Sequence, residues 1–276
     1  FKMIEYLKDK YYWFKTYNKL SHFLKDKEDS ILLFGYPKSG NTWFRLLIYN
    51  YLNLQGDQNL GSTISFDELN RQQNNVMDRG SVFLPENGFP LFYRTHKIYN
   101  RPYALFNKKI FIHRNPLDTL ISAYYFYKNR DIPFSDDPKN LREKLMDIDF
   151  YVSYKINFWI KYFRISLKKA DIVMNYSDMK NDTRKELTKL VQFLNWDLDE
   201  VLIKKSVEFS LFNKVKKMGK MQSQQYGNGP KDGSFKGEFT RSGEEGQFYS
   251  KLKKETIDLV LQKFPEFKNL YPNLVE

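Results

Sequence analysis

Residues 31–43 read Ile-Leu-Leu-Phe-Gly-Tyr-Pro-Lys-Ser-Gly-Asn-Thr-Trp. The four apolar residues predict a buried strand, the glycines and the proline predict a loop, and a helical pattern follows over residues 42–54. A strand, a glycine-containing loop and a helix N-terminus together make an anion site, because backbone N–H groups and the helix dipole point towards the ligand. The stretch therefore predicts a phosphate-binding loop, in which Lys38 adds a positive charge.

The position of the lysine distinguishes this loop from that of a nucleotide triphosphatase, which reads Gly-x-x-x-x-Gly-Lys-Ser/Thr. Gly35 and Gly40 have the triphosphatase spacing, and Thr42 fits the last position. Asn41 occupies the lysine position, however, and Lys38 lies three residues earlier. This indicates a phosphate-bearing donor other than magnesium ATP; an exposed lysine in a glycine turn is the alternative.

Short apolar runs predict four strands, at residues 31–34, 91–95, 109–113 and 172–176. Helical patterns lie between and after them. Because strands alternate with helices, we expect an α/β fold with a central, mainly parallel sheet flanked by helices, resembling P-loop nucleotide-binding folds. Ligands of such sheets bind at the carboxyl ends of the strands.

Two helices are predicted from end signals and periodicity. Asn115 suits an N-cap and Pro116 the first position of a helix that extends to Lys128. A second helix is predicted over residues 151–170, with an apolar face formed by Ile156, Trp159, Ile160, Phe163 and Leu167.

A third helix is predicted to begin at Thr183, where Thr183 and Glu186 suit a capping box. We expect the 276 residues to form a single domain. Its predicted parts are an N-terminal amphipathic helical segment at residues 1–28, and substrate or cofactor loops at residues 55–90 and 213–250, because long loops in compact domains are usually functional.

The formal net charge is +12, from 45 basic and 33 acidic residues. This charge favours an anionic partner, although a lysine-rich surface that keeps the protein in solution explains it as well. The chain has no cysteine, no His-x-x-x-His and no acidic calcium-binding pattern, so we expect no metal site. No apolar run reaches the roughly 18 residues of a membrane span, so we expect no stable membrane insertion. We expect a cytoplasmic location.

Polar side chains follow two of the predicted strands. Arg114 follows one strand directly and Ser122 lies eight residues later. Both suit a second phosphate, although alone they would be an ordinary surface arginine and helix serine. His96 directly follows another strand, and histidine is the common general base near neutral pH, although a lone histidine is more often structural.

Together these segments resemble the sulfotransferase superfamily that uses 3′-phosphoadenosine 5′-phosphosulfate (PAPS). Residues 36–43 match its Tyr-Pro-Lys-Ser-Gly-x-x-Trp loop, and residues 112–125 are similar to its 3′-phosphate segment. Shorter resemblances are those of Arg94-Thr95-His96 to Lys-Thr-His, Tyr176-Ser177-Asp178-Met179 to Tyr-Glu-Asp-Met/Leu, Ser210-Leu211-Phe212 to Thr-Ser-Phe, and residues 241–248 to Arg-Lys-Gly-x-x-Gly-Asp-Trp.

The resemblance implies in-line, metal-independent transfer of a sulfuryl group from PAPS to an acceptor hydroxyl or amine, with 3′-phosphoadenosine 5′-phosphate (PAP) as product. It implies catalytic roles for His96 as base, Lys38 at the leaving oxygen, and Ser122. The residues that it implies for donor binding are Lys38, Ser39, Gly40, Asn41, Thr42, Trp43, Arg114, Ser122, Tyr176, Ser210, Phe212, Arg241, Ser242 and Gly243.

The chain departs from the family pattern at several positions. Arg94 and Ser242 each replace a lysine, and Gln247 and Phe248 replace Asp-Trp. The dimerisation element of many cytosolic members, Lys-x-x-x-Thr-Val-x-x-x-Glu, is not evident. The resemblance therefore leaves the role of Arg94 and the oligomeric state open.

Two other functions remain as alternatives: a P-loop phosphotransferase acting on a nucleotide, and a basic anion-binding module without catalysis. Asn41 argues against the first, and His96 with the loop argues against the second. The acceptor is expected to be a small hydroxylated molecule rather than a nucleic acid, in a pocket shaped by Phe66, Phe83, Phe89 and Phe92; lysines within residues 214–220 would instead suit an acidic glycan.

Overall fold

The computed structural model describes residues 2–25, 29–56, 63–65, 68–69, 74–75, 90–98, 101–130, 132–218 and 242–274. Its centre is a parallel sheet with the strand order β2-β3-β1-β4-β5. The strands are β1 (Ser30–Phe34), β2 (Asn74–Asn75), β3 (Leu91–Thr95), β4 (Lys108–His113) and β5 (Ile172–Asn175).

Helices surround this sheet. They are α1 (Lys2–Leu24), α2 (Asn41–Gly56), α3 (Pro116–Lys128), α4 (Ile148–Leu167), α5 (Tyr176–Asn181), α6 (Thr183–Leu194), α7 (Glu200–Phe209), α8 (Phe248–Lys251), α9 (Lys254–Lys263) and α10 (Phe267–Leu270). Short 3₁₀ helices cover Arg101–Leu105, Lys139–Leu141, Lys144–Met146 and Pro272–Leu274. None of the helices in the described part of the chain is long and apolar enough to cross a membrane.

The central strand β1 is buried along its whole length, as parallel strands are when helices cover both faces. Its side chains alternate between two apolar cores. Leu32 and Phe34 join the core that contains residues of α3 and α4. Ile31 and Leu33 join the core that contains residues of α2, α6 and α7. The predicted α/β fold with a parallel sheet is confirmed.

The position of β1 between β3 and β4 places the loop after β1 where the strand order reverses. In open α/β sheets this reversal leaves a crevice outside the carboxyl ends of the strands, where ligands bind. The register adds a second feature: Phe34 lies beside both Thr95 and Phe111. The residues that follow β1, β3 and β4 therefore meet at one edge of the sheet.

Local signals predicted α3 correctly. The helix spans Pro116–Lys128, and the side chain of its N-cap Asn115 accepts a 2.8 Å hydrogen bond from the backbone N–H of Asp118. The helix predicted over residues 151–170 begins earlier and ends at Leu167. Leu167, which was predicted to share the apolar face of this helix, is exposed.

One predicted strand end and one predicted helix cap are wrong, although α6 begins at Thr183 as predicted. Tyr176 does not end β5 but begins α5, because the side chain of Asn175 caps that helix by accepting from the N–H of Ser177 at 3.1 Å. The predicted capping box at Thr183 is also absent. Asp182 is the N-cap of α6 and accepts from the N–H of Lys185, whereas the Thr183 hydroxyl donates to a carbonyl of the preceding helix.

The N-terminal segment is helical, as predicted. Leu20 and Leu24 of α1 are buried, and Trp13 packs edge-to-face on Tyr103 with ring centres 5.6 Å apart. The predicted loops at residues 55–90 and 213–250 lie mostly outside the described residues. Phe66, Phe83 and Phe89 of the predicted acceptor pocket all lie outside them. Of the second loop, residues 213–218 are helical.

Candidate functional site

The loop after β1 has the backbone of a tight anion-binding turn. Lys38 and Gly40 both adopt the left-handed conformation, with φ of 71° and 96°. At Gly40 a side chain is excluded, because an added Cβ would lie 2.5 Å from Cδ2 of Tyr176. The turn is closed by the N–H of Ser39 and the side-chain amide of Asn41, which each donate to the carbonyl of Tyr36 at 3.2 Å.

This loop leads directly into α2, which begins at Asn41. The first N–H groups of a helix have no partner within the helix, and the helix dipole makes this end partly positive. Asn41, Thr42 and Trp43 line a pocket at this helix end. The pocket therefore borders backbone N–H groups at the start of α2 that can donate hydrogen bonds to an anion.

The pocket has a volume of about 540 Å³, within the range that holds a small-molecule ligand. It brings together twelve residues that the sequence analysis assigned to the site. They are Lys38, Gly40, Asn41, Thr42, Trp43, His96, Arg114, Ser122, Tyr176, Phe212, Ser242 and Gly243.

Two predicted residues do not line this pocket, and a third lies outside the described residues. Ser39 is fully buried, and its hydroxyl has no hydrogen-bond partner among the described residues. Ser210 is also buried; its carbonyl accepts from Nε1 of Trp43 at 2.8 Å, and its hydroxyl accepts from Nδ2 of Asn50 at 3.0 Å. The structure thus places Ser210 behind Trp43 rather than in the pocket. Arg241 is the residue outside the described part.

His96 lies at the carboxyl end of β3, next to the loop. Its Nδ1 lies 2.8 Å from the carbonyl oxygen of Gly35. Since a carbonyl only accepts, Nδ1 carries the proton, and Nε2 of the neutral ring keeps a lone pair. Burial, and then the nearby cations Arg94, Arg45 and Lys38, lower the pKa of His96 to about 4, although its bond to Gly35 opposes the shift. The ring is therefore neutral near pH 7 and can accept a proton.

Arg114 follows β4 and is almost fully buried. Its guanidinium lies 4.6 Å from the ring centre of Tyr176, which follows the neighbouring strand β5. It also donates to the carbonyl of Glu244 and lies 3.7 Å from a carboxylate oxygen of Asp118, one turn into α3. The cation is thus held in a fixed position in the pocket wall.

Residues 242–246, here named the closing segment, lie across this part of the site. The hydroxyl of Tyr176 donates to the carbonyl of Gly243 at 2.8 Å, and burial raises the pKa of Tyr176, so the hydroxyl keeps its proton. The N–H of Gly246 donates to Asp118 at 2.9 Å, and the hydroxyl of Ser177 donates to Glu245 at 2.5 Å. Two helices, α3 and α5, therefore hold the closing segment in place together with Arg114.

Aromatic rings form one side of the pocket. Trp43 and Tyr176 meet edge-to-face with ring centres 5.4 Å apart. Phe212 packs against Gly243, where an added Cβ would lie 2.5 Å from its ring. Flat apolar rings of this kind suit a planar base, since stacking on an aromatic side chain is favourable for every base.

Eight residues that line the pocket were not named individually as site residues from the sequence: Pro37, Lys97, Phe126, Tyr127, Arg130, Asp136, Val215 and Gln247. Of these, Pro37 and Gln247 lie within the quoted motifs, and Val215 lies within the predicted loop at residues 213–250. One more could have been named from helix spacing, because Phe126 follows Ser122 by four residues and so shares its face of α3. Nζ of Lys38 lies 4.7 Å from the ring centre of Phe126. Lys97 and Asp136 come to the pocket through tertiary packing, for which the sequence carried no signal.

The described lining of the pocket is positively charged, with Lys38, Lys97, Arg114 and Arg130 against Asp136. Among the described residues, no three His, Cys, Asp or Glu side chains come close enough together to hold a metal ion. The site can therefore bind an anion through helix N–H groups and cations, and it presents one neutral imidazole to whatever lies beside that anion.

Comparison with known proteins identifies the family. A family model of the sulfotransferase domain matches residues 28–267. The amine sulfotransferase of Oryctolagus cuniculus is 28% identical over 212 residues, covering 73% of this chain and 67% of that protein. Because the family model matches most of the chain, the chain belongs to the sulfotransferase domain family and is a sulfotransferase.

Solved structures show the same fold. Mouse sulfotransferase SULT7A1 complexed with PAP is 20% identical, with a TM-score of 0.55, over 86% of this chain and 84% of that one. Retinol dehydratase in complex with androsterone and the inactive cofactor PAP is 14% identical, with a TM-score of 0.64, over 87% of this chain and 80% of that one. These likenesses support the predicted architecture at low sequence identity.

Proposed function

We propose that this sulfotransferase transfers the sulfuryl group of PAPS to a hydroxyl or amine of a small molecule, with His96 as general base. The observation that carries the proposal is the bond between Nδ1 of His96 and the carbonyl of Gly35. This hydrogen bond leaves Nε2 as the ring nitrogen with a lone pair, and His96 lines the same pocket as the Lys38 loop. A base and an anion-binding loop in one pocket are what transfer from a phosphosulfate requires.

The donor occupies the positively charged side of the pocket. The N–H groups at the start of α2 and the ammonium of Lys38 bind its phosphosulfate, and Thr42 adds a hydroxyl donor. Arg114 and Ser122 bind the 3′-phosphate, with the closing segment beside it. Trp43, Tyr176 and Phe212 hold the adenine. The neighbours solved with PAP support this assignment of the ligand, because they share the fold.

The reaction follows from this arrangement. Nε2 of His96 accepts the proton of the acceptor hydroxyl while the acceptor oxygen forms a bond to sulfur. The bond between sulfur and the bridging oxygen of the donor breaks, and PAP leaves with the electron pair. Lys38 and the helix N–H groups stabilise the charge that develops on the leaving oxygen, and this electrostatic stabilisation is usually the largest catalytic contribution.

The acceptor lies on the side of the pocket formed by Phe126, Tyr127 and the residues that follow β3. The apolar rings and the limited volume favour a small molecule over a polymer. Androsterone, held by the retinol dehydratase structure, is a small hydroxylated molecule of this kind.

The test is a direct assay with radiolabelled PAPS and a panel of phenols, alcohols and amines, together with calorimetric titration of PAP and of magnesium ATP. We expect labelled product and tight binding of PAP without added metal. Binding of magnesium ATP with no measurable binding of PAP would refute the donor assignment. PAP binding without transfer to any acceptor would refute the enzymatic proposal and leave an anion-binding protein.

A further inference from the structure

Lys97 is a cation of the pocket that the proposed reaction does not use. It follows His96 directly, lines the same pocket and is half-buried. Its backbone is fixed, because its N–H donates to the hydroxyl of Thr95 at 3.1 Å, and that hydroxyl lies 3.1 Å from the hydroxyl of Tyr103. The side chain therefore starts from a rigid point beside the proposed base.

The far end of the side chain is also held. Nζ of Lys97 lies 4.5 Å from the ring centre of Tyr12 and 5.2 Å from that of Trp13, both on α1. Attraction between an ammonium group and aromatic faces limits the positions that the long side chain samples. A pre-positioned ammonium loses less conformational entropy when it binds an anion than a freely moving one does.

The other cations of the pocket already have partners. Arg114 is bonded to the closing segment and to Asp118, and Arg130 forms a 2.9 Å ion pair with Asp136. Lys38 belongs to the donor loop. Within the described part of the chain, no carboxylate lies within ion-pair distance of Lys97. Its charge is therefore available to a ligand on the acceptor side.

We propose that Lys97 selects small acceptors that carry an anionic group, such as a carboxylate, in addition to the hydroxyl that is sulfated. This inference rests on the proposed function. A bound donor brings several negative charges into the pocket and would repel an anionic acceptor. The ammonium of Lys97, the residue that follows His96, offsets that repulsion and forms a charged hydrogen bond that a neutral acceptor cannot form.

The test compares acceptors that differ in charge but hardly in size. Each hydroxylated aryl or alkyl acid is paired with its neutral primary amide, beginning with 4-hydroxybenzoate and 4-hydroxybenzamide. The measured quantity is the ratio of kcat/KM for the acid to that for the amide. A charged hydrogen bond predicts a ratio of about 10 or more in the wild-type protein.

Variants assign that preference to one side chain. Lys97→Met is expected to lower the acid-to-amide ratio about 10-fold, mainly through the KM of the acid, and Lys97→Arg to restore most of it. Lys15→Met is the matched control. Lys15 also lies over a tyrosine of α1, with Nζ 4.7 Å from the ring centre of Tyr11, but it does not line the pocket. Its variant is expected to keep the wild-type ratio.

Several outcomes would overturn the inference. A wild-type ratio near 1 or below, or an unchanged ratio in Lys97→Met, means that Lys97 does not select the acceptor charge. A large loss of PAP affinity in Lys97→Met places the ammonium at the donor instead. If PAP binds but no member of any pair is sulfated, an anionic small acceptor is wrong as well. Absence of PAP binding in the wild-type protein is a different result, because it refutes the proposed function itself.

Discussion

At the scale of single residues, His96 combines a tether with a reactive atom. One ring nitrogen is bonded to the carbonyl of Gly35, so the other has a defined direction and tautomer. Burial keeps the ring neutral down to about pH 4. A neutral ring is ready to take a proton but is a weak base, and the negative charge of a bound phosphosulfate would raise its basicity.

Replacing His96 separates these two properties. His96→Ala removes both the tether and the base, whereas the amide of His96→Asn can still donate to the carbonyl of Gly35 but cannot accept the proton. We expect both variants to lose turnover by about 100-fold or more, because a positioned general base contributes at least that factor. PAP affinity, measured by calorimetry, is expected to be retained. Turnover near the wild-type value in His96→Asn would show that another group acts as base.

Gly40 is a second position at which a single side chain would disturb the donor site. Its φ of 96° and the closeness of the Tyr176 ring both exclude a side chain. Gly40→Ala is therefore expected to weaken PAP binding by about 10-fold or more, since the loop or the ring must shift. Gly56→Ala is the matched control, because nothing lies within 4 Å of an added Cβ there. Equal PAP affinities for the two variants would contradict the close-packing argument.

At the scale of elements, the closing segment is held in position by hydrogen bonds to neighbouring parts of the fold. It accepts or donates hydrogen bonds with Arg114 after β4, with Asp118 of α3 and with Tyr176 of α5. Residues on two helices and in the turn after β4 must therefore be in place before this part of the pocket wall exists. Changes in any of these elements should appear as changes in donor affinity.

Tyr176→Phe tests this dependence. The substitution keeps the ring that packs on Gly40 and Arg114 but removes the bond to the carbonyl of Gly243. We expect PAP to bind about 3- to 10-fold more weakly, as the loss of one neutral hydrogen bond predicts. Tyr249→Phe is the control, because the Tyr249 hydroxyl also donates to a carbonyl, that of Leu274, but away from the pocket. An unchanged dissociation constant for Tyr176→Phe would remove the closing segment from donor binding.

Elements also show what the sequence could predict. The start of α3 was predicted to the residue, because Asn115 and Pro116 are strong local signals with no competitor nearby. The first residue of α6, Thr183, was predicted as well, but its capping residue was not, because Asp182 and Thr183 can both cap a helix and only the packed chain decides between them. In the same way, the pattern of β5 could not show that Asn175 ends the strand by capping α5.

The site residues also divide into those that a local sequence signal predicts and those that only tertiary packing brings to the pocket. The loop residues, His96 and Arg114 were predictable because each directly follows a strand of recognisable pattern, and carboxyl ends of parallel strands meet at one edge. Ser210 was assigned to the site from a short motif, but the structure places it behind Trp43. Lys97 had no local signal, since its environment is made by rings of α1, far away in the sequence.

At the scale of the whole molecule, the sheet separates two apolar cores, and one of them encloses a histidine. His113 ends β4 and is almost fully buried, with its ring 5.2 Å from that of Phe163 and its Nδ1 2.7 Å from the hydroxyl of Tyr271. Burial lowers the pKa of His113 from 6.5 to about 3. The neutral ring is part of the core, and the charged ring is not compatible with it.

This burial predicts how stability depends on pH. Because the pKa of His113 is lower in the folded than in the unfolded state, the unfolded chain takes up the proton first. The stability that the neutral, buried His113 contributes is therefore fully present above about pH 6.5, and it is lost as the pH falls from 6.5 towards 3. Over this range His113 alone lowers the free energy of unfolding by about 1.4 kcal/mol per pH unit. His96, with a pKa of about 4, acts in the same direction.

Urea unfolding at a series of pH values from 5 to 7 measures this slope. His113→Asn is expected to show a shallower slope than the wild-type protein, even though its stability at pH 7 is lower. Tyr271→Phe serves as the control, because it removes the hydrogen bond but keeps the buried imidazole, and its slope is expected to stay steep. An identical slope for His113→Asn and the wild type would mean that other groups govern acid unfolding.

The bond between His96 and Gly35 has one more consequence, for the order of events in catalysis. The carbonyl that orients the proposed base belongs to the turn that receives the donor, so any adjustment of this turn on ligand entry re-aims the imidazole. Acceptor reactivity would then depend on whether the donor side is filled. Kinetic cycles in which the acceptor is engaged first should be unproductive, and substitutions in residues 36–41 should alter the rate constants for both substrates together.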